Sequence, residues 1–457
     1  MVFKLKRQQL GREQVWLLSA VVKWTFLALI TGALVGFATS VFINLLHDAC
    51  HFVAGFGKYK LLLMFPGFFA SYMLVRVYTR DAKVDVVSAI HNDFGAVDIK
   101  AIPLRLLSTI ATISCGGATG KESPCASIGA GIMYGFSRIF ELDDKDMRKL
   151  VTIGSAAGIS AVFGTPIAGA VFGVEILYMG EMLYDVLLPS FIAGVVSSML
   201  AGAMKVGALP SIAISIPAVE PKIIVWSVVC GAFFGLIAML HVELLKYFVR
   251  GFRKLKVPRK LKPLIGASAL CLIALVFGDF YGGLNNQLLV AALYGAPVSN
   301  LAFVLKSLAL ALTLGCGGNG GVIMPTMFVG ATCGSFFAYY LGLNMQAVSA
   351  MGFVALLAGA TNTPIACTIL AMELFGAKIA PFAAIACCTA YMVVGHRSLY
   401  TGQLMLRPKT ELFVRREDEQ GNSEIVQRFE AIPYSRILKF QYQKTKKKFR
   451  LHRRKKK

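Results

Sequence analysis

The stretch Ser114-Cys-Gly-Gly-Ala-Thr-Gly-Lys-Glu-Ser-Pro-Cys-Ala-Ser-Ile-Gly129 sets one charged pair, Lys121 and Glu122, among small residues between two apolar segments. Pro124 stands where a first-turn proline starts a helix, since its missing N–H costs nothing there. The orphan backbone N–H groups of that start then lie beside Glu122. With the helix dipole they make a site for an anion. A matching start is expected at Gly320-Gly-Val-Ile-Met-Pro325, where glycine lets the backbone approach closely and Pro325 opens the next helix. Two half-helix N-termini converging in the bilayer would hold an anion without a full buried positive charge, and such weak, multi-site binding permits throughput. Glu122 can occupy the same donor-lined position as the anion and leave it when protonated, which would couple proton and anion movement. The competing reading of residues 120–124 is a re-entrant turn in which Glu122 caps a helix and Lys121 snorkels to the interface.

The elements that must position these residues are repeated. Gly164-Thr-Pro-Ile-Ala168 is followed by Glu175, nine residues after Pro166. Asn362-Thr-Pro-Ile-Ala366 is followed by Glu373 at the same spacing from Pro364, an offset of 198 residues. The Gly-rich stretches ending at Pro124 and Pro325 are offset by 201 residues. Two motifs in the same order at nearly one offset indicate an internal repeat, and short Gly-interrupted segments at matching places point to helices that stop inside the membrane. An acid within such a segment is a functional candidate by default. Because Glu175 has a mate in Glu373, both are expected to be structural carboxylates that accept backbone N–H bonds at a helix end.

Composition sets the class. Of 457 residues 56% are apolar and 16% charged, too few charges for a globular surface of this size. Apolar segments run from about residue 15 to 395 without strict alternation, so an all-α polytopic membrane protein is expected rather than a closed barrel. The net charge of +23 is concentrated in three blocks, Lys4 to Arg12, Lys246 to Lys262 and Arg436 to Lys457. The positive-inside rule places all three, and hence both termini, in the cytoplasm. Their expected partners are anionic lipid head groups, notably at the basic tail, and not nucleic acid. The ten cysteines mostly lie in apolar segments without metal-ligand spacing. They are read as reduced, buried residues, with no cofactor and no metal. No His/Cys cluster or nucleophile–base arrangement suggests an enzyme. The basic N-terminus leads into an apolar run too long for a signal peptide, which is read as a retained first helix. The expected division is a cytoplasmic segment 1–14, a transmembrane domain 15–403 with halves at about 60–204 and 222–403, and a basic cytoplasmic tail 404–457.

On these motifs the chain resembles the CLC chloride channel and transporter family over roughly residues 20–403. Gly120-Lys-Glu-Ser-Pro124 is similar to its gating-glutamate motif and Gly154 to Glu175 to the helix pair that follows. Gly320 to Pro325 is similar to its Gly-Gly-Ile-Phe-Ala-Pro motif, and Ser398-Leu-Tyr400 to the segment with the central tyrosine. The resemblance implies a CLC-type inverted repeat of about eighteen tilted and broken helices, without CBS domains. It also implies a homodimer in the inner membrane, with an anion path in each subunit. By position, Glu122 would gate and couple protons, and the N–H groups of Val322 and Ile323 would line the anion site. Tyr400 would donate its hydroxyl, with Gly120, Lys121, Ser123 and Gly321 around the anion.

Two departures qualify this. The family's central serine falls on Ala82 or Asp81, depending on a one-residue gap, and Ala82 is preferred because an ionised Asp81 would repel the anion. The internal proton-relay glutamate of its exchangers is replaced by Ile176, leaving water, Glu181 or Tyr178 as routes. Tyr400 could instead be an interfacial anchor. The expected function is transport of chloride and similar monovalent anions in exchange for protons. A passive, voltage-gated chloride channel is the alternative that Ile176 favours. Pro124 and Tyr400 follow the chloride-type pattern, which sets fluoride export behind chloride. An unrelated inverted-repeat transporter would need acidic residues near both helix breaks, and Gly315 to Pro325 has none. A non-transporting membrane scaffold is the remaining alternative.

Overall fold

A computed structural model describes residues 2–78, 86–92, 95–206, 212, 214–216, 220–400, 402–407, 409, 413–414 and 430–431. They form two units, residues 1–177 with 182–403 and residues 178–181 with 404–457.

The first unit is helical. Its first half contains α1 (Val2–Ala54), α2 (Met64–Tyr78), α3 (Val86–Asn92), α4 (Ala101–Ser114), α5 (Glu122–Ile139), α6 (Asp144–Phe163), α7 (Pro166–Glu175) and α8 (Leu187–Ala203). Its second half contains α9 (Pro221–Lys254), α10 (Lys262–Phe277), α11 (Gln287–Leu293), α12 (Ala302–Gly315), α13 (Ile323–Leu341), α14 (Met345–Thr361), α15 (Pro364–Phe375) and α16 (Ala380–Val393). Helix α1 runs unbroken from Val2, so the expected boundary at residue 14 falls inside an element. Among the described residues four helices are long and apolar enough to cross a membrane, over Glu13–Ala54, Tyr184–Ala203, Pro221–Lys254 and Arg259–Phe277. The shorter apolar helices include α4, α7, α12, α14, α15 and α16. Leu29, Phe37, Leu236, Leu240, Leu272 and Leu275 remain exposed on the long helices. Such surfaces suit a lipid solvent rather than water.

The repeat is visible in how each half is punctuated. Helices α6 and α14 begin with Asp143 and Asn344, whose side chains accept the N–H of Asp146 and Ala347 at 2.9 Å each. Both end on a left-handed residue, Gly164 (φ 68°) and Asn362 (φ 59°), after which a threonine and a first-turn proline start the next helix. Close packing is repeated too. A Cβ at Gly129 of α5 would strike the Gly154 carbonyl of α6, and one at Gly330 of α13 would strike the Gly352 carbonyl of α14. Backbone touches backbone at both crossings. Small residues serve this purpose in lipid, where apolar side chains gain little by leaving the bilayer.

The second unit pairs β1 (Tyr178–Met179) with β2 (Leu404–Met405) in parallel, and β3 (Phe413–Val414) with β4 (Glu430–Ala431) antiparallel.

Candidate anion-binding site

Helices α4 and α12 stop short because glycine follows them in a left-handed conformation, Gly116 (φ 96°) and Gly317 (φ 104°). Each loop is held by its own helix and by the other half. Gly117 and Gly318 donate to the carbonyls of Thr112 and Thr313 at 2.8 Å each. Across the repeat, Ala118 N–H donates to Thr313 Oγ1 and Asn319 N–H to Thr112 Oγ1, both at 3.1 Å. The loops then meet. Gly120 N–H donates to the Gly321 carbonyl at 2.7 Å and Gly321 N–H to the Gly120 carbonyl at 2.6 Å, an isolated antiparallel bridge. Two residues after each bridging glycine a helix begins, α5 at Glu122 and α13 at Ile323. Two half-helix starts from distant parts of the chain are thereby fixed side by side.

Glu122 lies against this bridge, 1% exposed. A Cβ at Gly321 would stand 2.6 Å from its Oε2, and one at Gly120 would overlap the same atom, so the carboxyl group fills space that both glycines leave. The backbone N–H groups of Glu122, Met324 and Lys121 face the carboxyl group, while Oε2 has no hydrogen-bond partner. An acceptor oxygen buried without a partner costs free energy, so its presence calls for an explanation.

A cavity of about 40 Å³ opens beside it. Its wall includes Glu122, Ser123, Ser127, Ser155, Ile176, Ile323, Arg105 and Tyr400. A single water needs about 10–15 Å³, so the space suits a small ion with little accompanying water. Of the anticipated residues, Glu122, Ser123, Ile323, Tyr400 and Ile176 share this wall. Gly120 and Gly321 form the bridge instead, and Lys121 and Val322 are the residues immediately before α5 and α13. Val322 packs among Leu245, Leu310 and Leu399. Ala82 and Asp81 lie outside the described residues. Among those lining the cavity, Glu122 is the sole carboxylate; Ile176 presents an aliphatic side chain where a relay acid was sought.

Glu175 and Glu373 are engaged elsewhere. Glu175 accepts the N–H groups of Ile365 (3.1 Å) and Ala366 (2.7 Å) at the start of α15. Glu373 accepts those of Ile167 (3.1 Å) and Ala168 (2.8 Å) at the start of α7. Tyr400 is held by a segment tied to both halves. Its N–H donates to Ser398 Oγ at 3.1 Å, and Leu399 N–H donates to the Ala360 carbonyl at 2.9 Å. Buried Gln403 donates to the carbonyls of Ile176 (3.1 Å) and Thr361 (3.0 Å). Arg105, Met324 and Gln403 were not anticipated. Arg105 has a sequence signal, a cation inside an apolar helix; the backbone donor at Met324 has none.

Residues 67–395 match the family described as voltage-gated chloride channel. The chain belongs to this family. A chloride/fluoride channel protein of Pseudomonas syringae pv. tomato is 30% identical over 400 residues, 86% of this chain and 88% of that protein. The voltage-gated ClC-type chloride channel ClcB of Escherichia coli is 26% identical over 326 residues, 68% of this chain and 77% of that one. Among solved structures, a CLC-type fluoride/proton antiporter superposes with a TM-score of 0.80 at 25% identity, covering 84% of this chain and 98% of that chain. A slow cyanobacterial Cl⁻/H⁺ antiporter gives 0.70 at 16% identity, covering 81% and 94%, and supports the fold. The all-α CLC architecture expected from the sequence is the one found. This chain is therefore a CLC-family membrane protein for anion transport rather than an enzyme.

Proposed function

We propose that this chain carries a small monovalent halide across the membrane in exchange for protons. Glu122 alternates between a carboxylate lying in the anion position and a protonated form withdrawn from it. One observation carries the reading: a buried carboxyl group, with one oxygen lacking any hydrogen-bond partner, sits at two converging half-helix starts on the wall of an ion-sized cavity. Donors aimed at one point serve carboxylate and halide alike, so each displaces the other. Tyr400, Ser123 and the start of α13 at Ile323 supply the rest of the anion's surroundings in this scheme, and protons reach Glu122 through cavity water past Ile176.

Chloride is the cargo that Pro124 and Tyr400 favour. Fluoride is the second reading, favoured by the fluoride named for the Pseudomonas relative and for the antiporter at 25% identity. The proposal includes a homodimer with one path per subunit, and cytoplasmic termini whose basic segments meet anionic lipid. Reconstitution into liposomes tests it, with chloride or fluoride flux and pH recorded together. The wild-type protein is expected to drive protons uphill on a halide gradient, and Glu122→Ala to pass halide without protons. Wild-type flux with no proton movement would establish a passive channel, and unchanged exchange in Glu122→Ala would remove Glu122 from the mechanism.

A further inference from the structure

The two turns that lead into the glycine bridge each line a cavity, and the two cavities differ in charge. In the first half the turn at Ser114, Cys115 and Gly116 lines a cavity of about 260 Å³. In the second half the equivalent turn, 201 residues later at Gly315, Cys316 and Gly317, lines one of about 420 Å³. Both turns are seated alike, for a Cβ at Gly67 of α2 would strike Cys115 Sγ and one at Gly266 of α10 would strike Cys316 Sγ. At the first cavity the cation Lys60 is neutralised by Asp279, which shares its wall. The second is walled by Arg253, Arg259 and Lys262 and, among the described residues, by no acid.

That excess of positive charge is not balanced nearby. Residues 246–262 carry eight basic side chains and no acidic one. Neither Arg253 nor Arg259 has an ion-pair partner among the described residues. Lys262 donates to the carbonyls of Phe252 and Arg253 in the last turn of α9, and so ties the end of α9 to the start of α10. The junction thus holds two guanidinium groups at one cavity, and a planar guanidinium pairs with phosphate through two parallel hydrogen bonds.

Depth decides which kind of phosphate fits. Arg259–Phe277 is long and apolar enough to cross a membrane, so Arg259 and Lys262 stand at the end of a span, at head-group level. Leu261 and Ile265 are exposed beside these cations, and Leu272 and Leu275 continue the apolar surface along α10. A phosphate carrying acyl chains satisfies both surfaces, whereas a free phosphate satisfies one.

We propose that this cavity seats the head group of one anionic phospholipid, its phosphate on Arg253 and Arg259 and its chains along α10. This deepens the reading that basic segments meet anionic lipid, by assigning a single site. The seated head group abuts the turn at Gly315–Gly317, four residues before Gly321 of the bridge, and so braces the start of α13.

Native mass spectrometry of the purified, detergent-solubilised full chain, titrated with dioleoylphosphatidylglycerol, tests the site. One lipid per chain is expected to bind, and dioleoylphosphatidylcholine, which carries its own cation, at least about tenfold more weakly. Arg253→Gln/Arg259→Gln is expected to lose at least about tenfold in phosphatidylglycerol binding. Lys254→Gln/Lys256→Gln removes the same charge from exposed side chains off the cavity wall, and should bind within about threefold of wild type. Equal losses in the two double variants would mean diffuse attraction and overturn the site, as would equal binding of the two lipids. Displacement of the lipid by inorganic phosphate at equal concentration would overturn the lipid assignment in favour of a soluble ligand. Should the arginine double variant not fold, Arg259→Gln decides, with a loss of at least about threefold expected and wild-type binding overturning the site. Absence of phosphatidylglycerol binding by the wild type overturns both the site and the wider lipid reading.

Bracing is read from halide efflux in liposomes. Addition of phosphatidylglycerol to phosphatidylcholine is expected to speed wild-type efflux at least about threefold and to leave the arginine double variant unchanged. No gain in the wild type, or an equal gain in the variant, overturns the bracing. Neither halide nor a pH gradient enters the binding measurement, so wild type that moves no protons refutes exchange and leaves the lipid site to the binding comparison.

Discussion

Glu175 and Glu373 occupy equivalent positions in the two halves, and each binds the helix start that its mate's helix presents. The carboxylate ending α7 receives two N–H groups from α15, and the carboxylate ending α15 receives two from α7. Helix starts within a membrane have no water to satisfy their first N–H groups, so side chains must do it. These acids hold the repeat together and are not available to the cavity.

Replacing either acid by alanine is expected to lower stability by about 2–4 kcal/mol, since two charge-assisted hydrogen bonds are lost and buried donors are left bare. Glu175→Ala should cost more, because Glu175 is buried whereas Glu373 is half-buried. The thermal midpoint of purified protein reads this out, and a loss confined to Glu373→Ala would contradict it.

Gly321→Ala puts a methyl group 2.6 Å from Glu122 Oε2. The carboxyl group must then leave the bridge, and halide flux is expected to fall at least about tenfold, as displacement of a site by about 1 Å commonly costs more than that. Gly202→Ala in α8 is the control, since a Cβ there meets nothing within 4 Å. Equal flux from the two variants would show that the close approach has no functional weight.

Ile176→Glu adds a second acid to a cavity wall that has one among the described residues. Proton flux per halide is expected to become less dependent on internal pH, because a titratable group then replaces water as the donor to Glu122. Flux ratios recorded between pH 5 and 8 test this, and an unchanged profile would mean that Ile176 does not stand on the proton's route.

Gly129→Ala and Gly330→Ala should each prevent a backbone contact, between α5 and α6 in one case and α13 and α14 in the other. Overpacking costs about 1–3 kcal/mol where side chains can move, and more where a carbonyl is the obstacle. Folded yield after size-exclusion chromatography should drop in both. A normal yield from either would refute the tight crossing at that position.

The repeat was legible because its punctuation is chemical. Glycine, threonine and proline recur at fixed spacing wherever a helix must stop and another begin, and Glu122 stands out as an acid at such a place. Helical membrane architecture followed from apolar length and charge placement. Other features had no such mark. Helix α1 runs from Val2 to Ala54, with no proline between its basic opening and its apolar run. Arg105 is a lone cation inside an apolar helix, a mark that does not by itself name the residues it meets. Gln403 sits at the edge of the polar tail in sequence, yet its amide joins the carbonyls of Ile176 and Thr361. The donor facing Glu122 from α13 is the backbone of Met324, which no side-chain pattern encodes.

The bridge between Gly120 and Gly321 also bears on how the protein is made. Its two strands are separated by 201 residues of chain, so during synthesis the first helix start waits in the bilayer until most of the second half has been added. Contacts of such sequence separation form late. A partly translated chain thus carries only one of the two helix starts that the bridge brings together.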